Sequence, residues 1–165
     1  MCRSQAEAES ALKLLHEQMA LRKLTLHPEK TKIADATARG GFDFLGYHFE
    51  RGMRWPRKKS LTAFKDRVRS LTPRNSGKST AEIINKLNPM IRGWFEYFKH
   101  CIRSVPDALD GWIRRRLRNI FCKRLHMRSR GLGTAHQRWT NAYFRELGLF
   151  TMLDARARLL QSLRG

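Results

Sequence analysis

The sequence predicts an α+β fold in which a short helix and a β-hairpin precede a larger, mainly helical and basic part. One early run, FDFLGYHF, is rich in β-forming residues, and later apolar residues recur at three- and four-residue steps. The formal net charge of +20 over 165 residues is unevenly divided. Residues 1–52 carry 8 Lys and Arg against 7 Asp and Glu, whereas residues 53–165 carry 26 against 7. We therefore expect two units, residues 1–52 and residues 53–165.

The first unit begins with a predicted helix from Ser4 to Lys23. Ser4 can cap the first turn of this helix, because Glu7 follows three residues later as in a capping box. Apolar side chains fall on one face of the helix at Ala8, Leu12, Leu15 and Met19.

A β-hairpin is predicted after this helix. Pro28 indicates a turn, and a short strand is expected around Thr31 to Ala34. The second strand is expected from Phe42 to Phe49, interrupted by Gly46. Because two strands alone are marginally stable, the hairpin needs the first helix or another sheet to cover it.

The basic unit opens with a predicted loop from Arg51 to Lys59 and a helix from Ser60 to Leu71. The apolar face of that helix carries Leu61, Phe64, Val68 and Leu71. A second loop from Leu71 to Lys78 contains Pro, Asn, Ser and Gly, which are typical turn residues.

The region after this loop predicts two consecutive helices. Ser79 and Glu82 form a capping box for the first helix, and Asn88 and Pro89 suit the cap and first position of the second. Their shared apolar stripe contains Ile83, Ile84, Leu87, Met90, Ile91, Trp94, Phe95 and Phe98. Tyr97 lies off this stripe and is expected at the surface.

Three more helices are predicted towards the C-terminus. The segment from Ser104 to Arg130 has a buried stripe at Leu109, Trp112, Ile113, Leu117, Ile120 and Phe121. The opposite arc of the same helix carries Arg114, Arg115 and Arg118. The glycines at 131 and 133 end this segment, and shorter helices are expected from Trp139 to Leu147 and from Thr151 to Leu163.

The strong basic charge predicts a polyanionic partner, because each phosphate neutralised by Lys or Arg releases condensed counterions. Nucleic acid is the favoured partner. An anionic membrane surface is the alternative, although no apolar run approaches the roughly 20 residues that span a bilayer. The candidate contact residues are the basic groups and one exposed aromatic residue: Arg54, Arg57, Lys58, Lys59, Arg74, Lys78, Tyr97, Arg114, Arg115, Arg118, Lys123, Arg124 and Arg128.

The remaining reactive residues indicate no catalytic or metal site. Cys2, Cys101 and Cys122 are odd in number and share no metal-ligand spacing, so we expect reduced thiols in a cytoplasmic protein. No secretory or targeting segment is recognisable. The aspartates are isolated from one another in the sequence, whereas two-metal phosphoryl transfer needs convergent carboxylates.

Three stretches resemble the C-terminal part of a group II intron reverse transcriptase, also called a maturase. LTLHPEKTKI at 24–33 resembles the segment after the catalytic loop of the palm, and FDFLGYHF at 42–49 resembles the hairpin that grips the primer. STAEIINKLNPMIRGWFEYF at 79–98 resembles the helical thumb, or maturase-specific domain. The resemblance implies that residues 1–52 are the end of a palm and that residues 53–165 are a thumb.

The resemblance also implies roles for individual residues. Lys30 and Thr31 would lie near the incoming nucleotide, and Leu45 and Gly46 near the end of the primer. The basic thumb would hold structured intron RNA, promote its splicing, and contact the RNA–DNA duplex of template and primer.

The sequence departs from this family in one decisive respect. It lacks the Tyr-x-Asp-Asp loop and the upstream Asp that hold Mg²⁺ in the full-length enzymes. A minor departure is His27, which stands where an Asn is common. We therefore expect an RNA-binding maturase fragment without polymerase activity and without a cofactor of its own. Two alternatives stay open: the C-terminal piece of an active reverse transcriptase, through a misplaced start or a split gene, or a non-functional remnant of a mobile element.

Overall fold

The computed structural model describes residues 2–128 and 132–163 and has the predicted α+β architecture, with a mainly helical second part. In chain order its elements are α1 (Gln5–Leu21), β1 (Phe42–Phe44), β2 (Tyr47–Glu50), β3 (Met53–Pro56), α2 (Lys58–Leu71), α3 (Thr80–Phe98), α4 (Ser104–Arg124), α5 (Thr134–Arg138), α6 (Asn141–Glu146) and α7 (Met152–Ser162). The predicted helix from Ser104 to Arg130 is too long, because α4 ends at Arg124 and residues 125–128 are not helical. The predicted break at Gly131 lies outside the described residues.

Helix α1 forms as predicted but buries none of its residues. The Ser4 hydroxyl oxygen accepts a hydrogen bond from the Glu7 amide at 3.2 Å, which satisfies one free amide of the first turn. Leu12 and Met19 on the predicted apolar face are half-buried, whereas Leu15 is 41% exposed. Capping and helix propensity therefore support α1 more than packing does.

The sheet has three antiparallel strands in the order β1-β2-β3, one more than predicted. Its tight turns are Leu45–Gly46, with φ values of 46° and 77°, and Arg51–Gly52, with φ values of 49° and 72°. Two successive positive φ values match the right-handed twist of paired strands. Gly46 therefore lies in a tight turn between two strands. The prediction of one strand from Phe42 to Phe49, interrupted at Gly46, is wrong.

The predicted strand from Thr31 to Ala34 is also wrong, because all of residues 24–41 are described and contain no helix or strand. The carbonyl of His27 accepts hydrogen bonds from the amides of Lys30 and Thr31 at 3.2 and 3.0 Å. A turn thus occupies the start of the expected strand, and β1 pairs with β2 instead.

The predicted basic loop from Arg51 to Lys59 is wrong over most of its length. Residues Met53–Pro56 form β3, with Glu50 opposite Met53, and α2 begins at Lys58. The sheet continues across residue 52, at which we expected a domain boundary. The division at that residue stays a prediction.

The sheet packs against the end of α3. The ring centroids of Tyr47 and Phe98 are 5.0 Å apart, and the Tyr47 hydroxyl donates a hydrogen bond to the Tyr97 carbonyl at 2.6 Å. The Ile102 amide donates to the Arg54 carbonyl at 3.0 Å, which ties β3 to the connection between α3 and α4. These contacts join the small sheet to the helical part.

Helices α2 and α3 begin much as predicted. Phe64 and Val68 are buried on the inner face of α2. At the start of α3, the Ser79 side chain accepts from the Glu82 amide and the Glu82 side chain accepts from the Ser79 amide. This reciprocal capping box satisfies two amides that have no partner within the helix.

Helix α3 is continuous, so the prediction of a second helix starting at Asn88 and Pro89 is wrong. Pro89 lies on the exposed side of the helix, where the carbonyl that loses its amide partner can face water. The side-chain amide of Asn88 donates to the Gly148 carbonyl and accepts from the Phe150 amide, both at 2.8 Å. Asn88 therefore fastens α3 to the connection between α6 and α7 and does not cap a helix.

One hydrophobic core joins α2, α3 and α4 to the C-terminal helices. Most of the predicted apolar stripes contribute to it, including Phe64, Val68, Ile83, Ile84, Leu87, Ile91, Phe95, Leu109, Ile113, Leu117, Ile120 and Phe121. Trp94 and Trp112 are only half-buried at its edge.

The region after α4 is divided more finely than predicted. The helix expected from Trp139 to Leu147 is corrected, because α5 ends at Arg138, Trp139 is buried and α6 starts at Asn141. The Thr140 hydroxyl accepts from the Tyr143 amide at 3.3 Å and caps α6. The last predicted helix is confirmed as α7.

Asp110 of α4 caps α7 from outside that helix. Its two carboxylate oxygens accept hydrogen bonds from the amides of Met152 at 3.2 Å and Leu153 at 3.1 Å, whereas Thr151 at the cap position makes no such side-chain bond. Burial raises the pKa of the Asp110 carboxyl from 3.8 to about 6, although the two amides and Arg114 act in the opposite direction. The carboxylate therefore titrates within an accessible pH range.

The raised pKa of Asp110 predicts a pH-dependent contribution to stability. Between pH 4 and pH 6 the folded chain holds a proton that the unfolded chain releases, so this contribution is present at low pH and lost as the pH rises through about 6. Relative to Asp110→Asn, which does not titrate, the wild-type free energy of unfolding should fall by up to about 3 kcal/mol between pH 3 and pH 7. Urea unfolding of both proteins at several pH values measures this difference, and a constant difference would contradict the assignment.

Candidate nucleic-acid interface

Nine of the predicted contact residues are exposed or half-buried cations whose side chains make no hydrogen bond or ion pair within residues 2–128 and 132–163. In the described ranges, none of them has a carboxylate within 4 Å. We call these residues the basic surface: Arg54, Lys58, Lys59, Arg74, Lys78, Arg114, Arg115, Lys123 and Arg128. Because nearby carboxylates do not neutralise these charges, they are available to an anionic ligand.

Arg116 of α4, which belongs to the same basic run as Arg114 and Arg115, holds the connector between α2 and α3. Its Nε donates to the Thr72 hydroxyl and its Nη2 donates to the Thr72 carbonyl, both at 2.8 Å. The guanidinium also lies over the Trp112 ring, 5.4 Å from the centroid, and Arg69 of α2 lies over the same ring at 5.7 Å. The connector that carries Arg74 is thus fixed against α4.

Arg124 fixes the far end of the same connector. Its guanidinium donates to the Thr80 hydroxyl at 3.2 Å and to the carbonyls of Ser76 and Lys78. The structure thereby brings Lys78 beside the end of α4, which also carries Lys123. The Nη1 and Nη2 groups of Arg124 already donate hydrogen bonds within the protein. Arg124 therefore serves to position Lys78 beside Lys123.

The expected exposed position of Arg118 is wrong, since its side chain is only 2% exposed. Its Nε donates to the Trp139 carbonyl at 2.8 Å, its Nη2 donates to Asn141 Oδ1 at 3.3 Å, and its guanidinium lies 5.1 Å from the centroid of the Phe144 ring. Burial, followed by the nearby Arg114 charge, lowers the pKa of Arg118 from its ordinary value. A helical wheel of α4 could not show that α5 and α6 cover this side.

Arg57 is half-buried, in contrast to Lys58 and Lys59, which follow it. Its amide donates to the Gly46 carbonyl at 2.8 Å, and its Nε lies 3.9 Å from a carboxylate oxygen of Asp43. Arg57 therefore connects the start of α2 to the first turn of the sheet.

Tyr97 is exposed, as predicted, and it contacts the Leu45–Gly46 turn. Its side chain is 56% exposed, and its hydroxyl donates to the Leu45 carbonyl at 2.7 Å. Its ring stacks on Tyr47, with centroids 6.2 Å apart. The structure thus brings together the predicted site residues Leu45 and Gly46 of the hairpin and Tyr97 of α3.

Lys30 and Thr31 lie in the turn that begins at His27, away from regular secondary structure. Within the described residues, no hydrogen bond or ion pair of the Lys30 side chain joins it to the sheet or the helices. The structure does not assemble these two residues with the basic surface.

A cleft forms between α4 and the start of α6. Arg114, Arg115 and Arg118 line it together with His136 and Asn141, and its volume is about 140 Å³. We call it the arginine cleft. The sequence did not predict the participation of His136 and Asn141, because both lie about twenty residues or more beyond the arginines and no local pattern links them.

Metal-ligating side chains do not cluster in the part of the chain that is described. Within it, no three His, Cys, Asp or Glu residues converge as a metal site. The Mg²⁺ that the resemblance implies for the full-length family is therefore not assigned to these residues. Among the helices of residues 2–128 and 132–163, none combines the length and apolar character needed to cross a membrane.

The fold and its surface define a class of protein: a basic helical domain joined to a small antiparallel sheet. Residues 61–145 match the family model of the group II intron maturase-specific domain. Because this match covers just over half of the chain, the chain belongs to that family. The resemblance of the helical part to a maturase-specific domain is thereby confirmed. No curated protein matches the chain.

Proposed function

We propose that this protein binds structured group II intron RNA and assists its splicing. The basic surface is the observation that carries this proposal, because its cations have no carboxylate partners among the described residues. An RNA strand would supply the missing anions, and the released counterions would favour binding. Arginine forks suit paired hydrogen bonds to phosphate oxygens.

The proposed mechanism is neutralisation of phosphate repulsion, so that neighbouring RNA helices can pack together. Arg116 and Arg124 hold the connector against α4, which would present Arg74, Lys78 and Lys123 as one fixed set of charges. Contacts of this kind position an RNA backbone and do not by themselves read its sequence. Specificity for an intron would come from the shape of the folded RNA.

A second candidate ligand is an RNA–DNA duplex of template and primer. The observation that favours it is the contact between Tyr97 and the Leu45–Gly46 turn, which fixes the hairpin beside the helical domain. If this ligand is the correct one, the protein should bind such a duplex more tightly than folded intron RNA. A direct competition between the two ligands distinguishes them.

Binding to intron RNA should weaken steeply as salt increases. A protein that contacts six or more phosphates loses about 1,000-fold or more in affinity between roughly 50 and 200 mM salt. Fluorescence anisotropy with labelled intron RNA across this range measures the slope. A flat salt dependence would contradict the proposal.

A matched pair of variants separates the basic surface from net charge. The triple variant Lys58→Gln, Lys59→Gln and Lys123→Gln should reduce the salt slope by about 2 to 3, at roughly 0.7–0.9 for each phosphate that is no longer neutralised. The control variant Lys13→Gln, Lys32→Gln and Arg39→Gln removes the same charge from exposed positions outside the basic surface. Equal slopes for the two variants would indicate that net charge alone accounts for binding.

A further inference from the structure

The arginine cleft contains one guanidinium that the protein holds by hydrogen bonds and two whose side chains make no hydrogen bond within the described residues. Arg118 is buried and is fixed by the Trp139 carbonyl and Asn141, while its Nη1 has no hydrogen-bond partner among the described residues. Arg114 is half-buried and Arg115 is exposed, and the side chain of neither forms a hydrogen bond within the described part of the chain. Of the three, only the Arg118 guanidinium is preorganised for an anion, since the protein already holds it in place and it need not be ordered on binding.

The three guanidinium groups outweigh the negative charge near this cleft, although the Asp110 carboxylate acts on Arg114 from beyond 4 Å. Arg114 is close enough to Arg118 to disfavour the charged form of its side chain, and no carboxylate lies within 4 Å of any of the three cleft arginines in the residues described. Like charges held together in a partly buried cleft repel one another. A bound anion would relieve this repulsion and gain charge-assisted hydrogen bonds at the same time.

We propose that the arginine cleft binds a single phosphodiester group of the RNA backbone. This inference rests on the proposed RNA binding and assigns one specific site to it. In this arrangement Arg118 donates from the floor of the cleft, and Arg114 and Arg115 close over the phosphate oxygens. His136 lines the same cleft and offers a further ring nitrogen to the ligand.

The size of the cleft decides between a single group and a larger ligand. Its volume of about 140 Å³ lies well below the roughly 300 Å³ at which pockets for complete small molecules begin. It therefore has room to enclose a phosphate, whereas the sugar and base of a nucleotide would lie outside it. An RNA backbone that bends locally can present one phosphate to the cleft, so this contact responds to the shape of the strand.

Gly111 allows the cleft to be blocked without changing any charge. It lines the cleft from α4, one turn before the arginines, and an added Cβ atom would meet no other atom within 4 Å. The variant Gly111→Leu should therefore fold, because leucine favours a helix more than glycine does, and it should fill the space meant for the phosphate.

The test compares three variants of the full chain by anisotropy with folded intron RNA. We expect Gly111→Leu and the double variant Arg114→Gln, Arg115→Gln each to lose about 10- to 100-fold in affinity, as for charge-assisted hydrogen bonds. The control Lys65→Gln, Arg67→Gln removes the same charge from α2 and should change affinity by less than about 3-fold. Thermal unfolding verifies that each variant is folded.

Different failures have different meanings. If the wild type binds RNA with a steep salt dependence but the cleft variants behave like the control, the cleft proposal is overturned and RNA binding stands. If the wild type does not bind RNA, both proposals fail. A parallel measurement replaces chloride with inorganic phosphate at equal ionic strength. In one outcome, phosphate raises the melting temperature of the wild type but not that of Gly111→Leu, while Gly111→Leu binds RNA as tightly as the wild type does. This result would show that the cleft binds free phosphate, and it would contradict the proposal that the bound phosphate belongs to RNA.

Discussion

Arg118→Ala should lower the free energy of unfolding by about 4 kcal/mol. The substitution leaves the buried Trp139 carbonyl without its donor and removes the contact with the Phe144 ring. An unsatisfied buried acceptor costs about 1–3 kcal/mol, and loss of the cation–π contact and of the packed stem adds to this. Chemical denaturation of the variant and the wild type at the same pH measures the difference.

Two further variants show which part of Arg118 is responsible. Arg115→Ala removes the same charge from an exposed position on the same helix and should change stability by less than about 0.5 kcal/mol. Arg118→Met keeps the apolar stem but not the donors, so it should fall between Arg118→Ala and the wild type. If Arg118→Met is as stable as the wild type, the two hydrogen bonds contribute nothing net.

Gly41→Ala should separate the segment before β1 from the edge of the sheet. A Cβ atom on Gly41 would overlap with the Phe49 carbonyl oxygen, which belongs to the backbone and cannot simply rotate away. The residue also has a φ of 49°, which is unfavourable for alanine. Relieving the overlap with the Phe49 carbonyl and the unfavourable φ together would cost on the order of 4 kcal/mol in local distortion. We expect the Gly52 amide, which donates to the Ala36 carbonyl at 2.8 Å, to lose its protection from hydrogen exchange.

Gly40→Ala is the matched control for this experiment. Gly40 also has a positive φ, of 85°, but an added Cβ atom there would meet nothing within 4 Å. Alanine at Gly40 should therefore reduce protection of the Gly52 amide only by the intrinsic cost of a positive φ, about 1–2 kcal/mol. Equal effects of the two substitutions would show that the close approach to Phe49 is not a constraint on the fold.

Local signals in the sequence predicted the helices well because their causes lie within a few residues. The capping box of Ser79 and Glu82 is an example, since each side chain bonds to the backbone of the other. Asn88 has the same local appearance as a cap. It is used differently because its partners, Gly148 and Phe150, lie about sixty residues away, and a local pattern carries no information about them.

The sheet and the candidate site were predicted less completely for two physical reasons. Positive φ values at Leu45 and Arg51 are uncommon for residues other than glycine, so the two tight turns were not evident from sequence. The wheel of α4 correctly placed Arg114 and Arg115 away from the main core. It could not show that Arg118 is covered, since the covering elements follow after a break in regular structure.

Hydrogen bonds between residues that are far apart in the sequence also set an order for folding during synthesis. A ribosome adds about 5–20 residues per second, and contacts form only after both partners have emerged. Asn88 waits for Gly148 and Phe150, and Asp110 waits for the first turn of α7. These four bonds therefore cannot form until residues 148–153 are available, several positions beyond the stretch 61–145 that matches the family. That stretch defines the family, whereas the hydrophobic core that must be assembled extends beyond it to Leu149 and Met152.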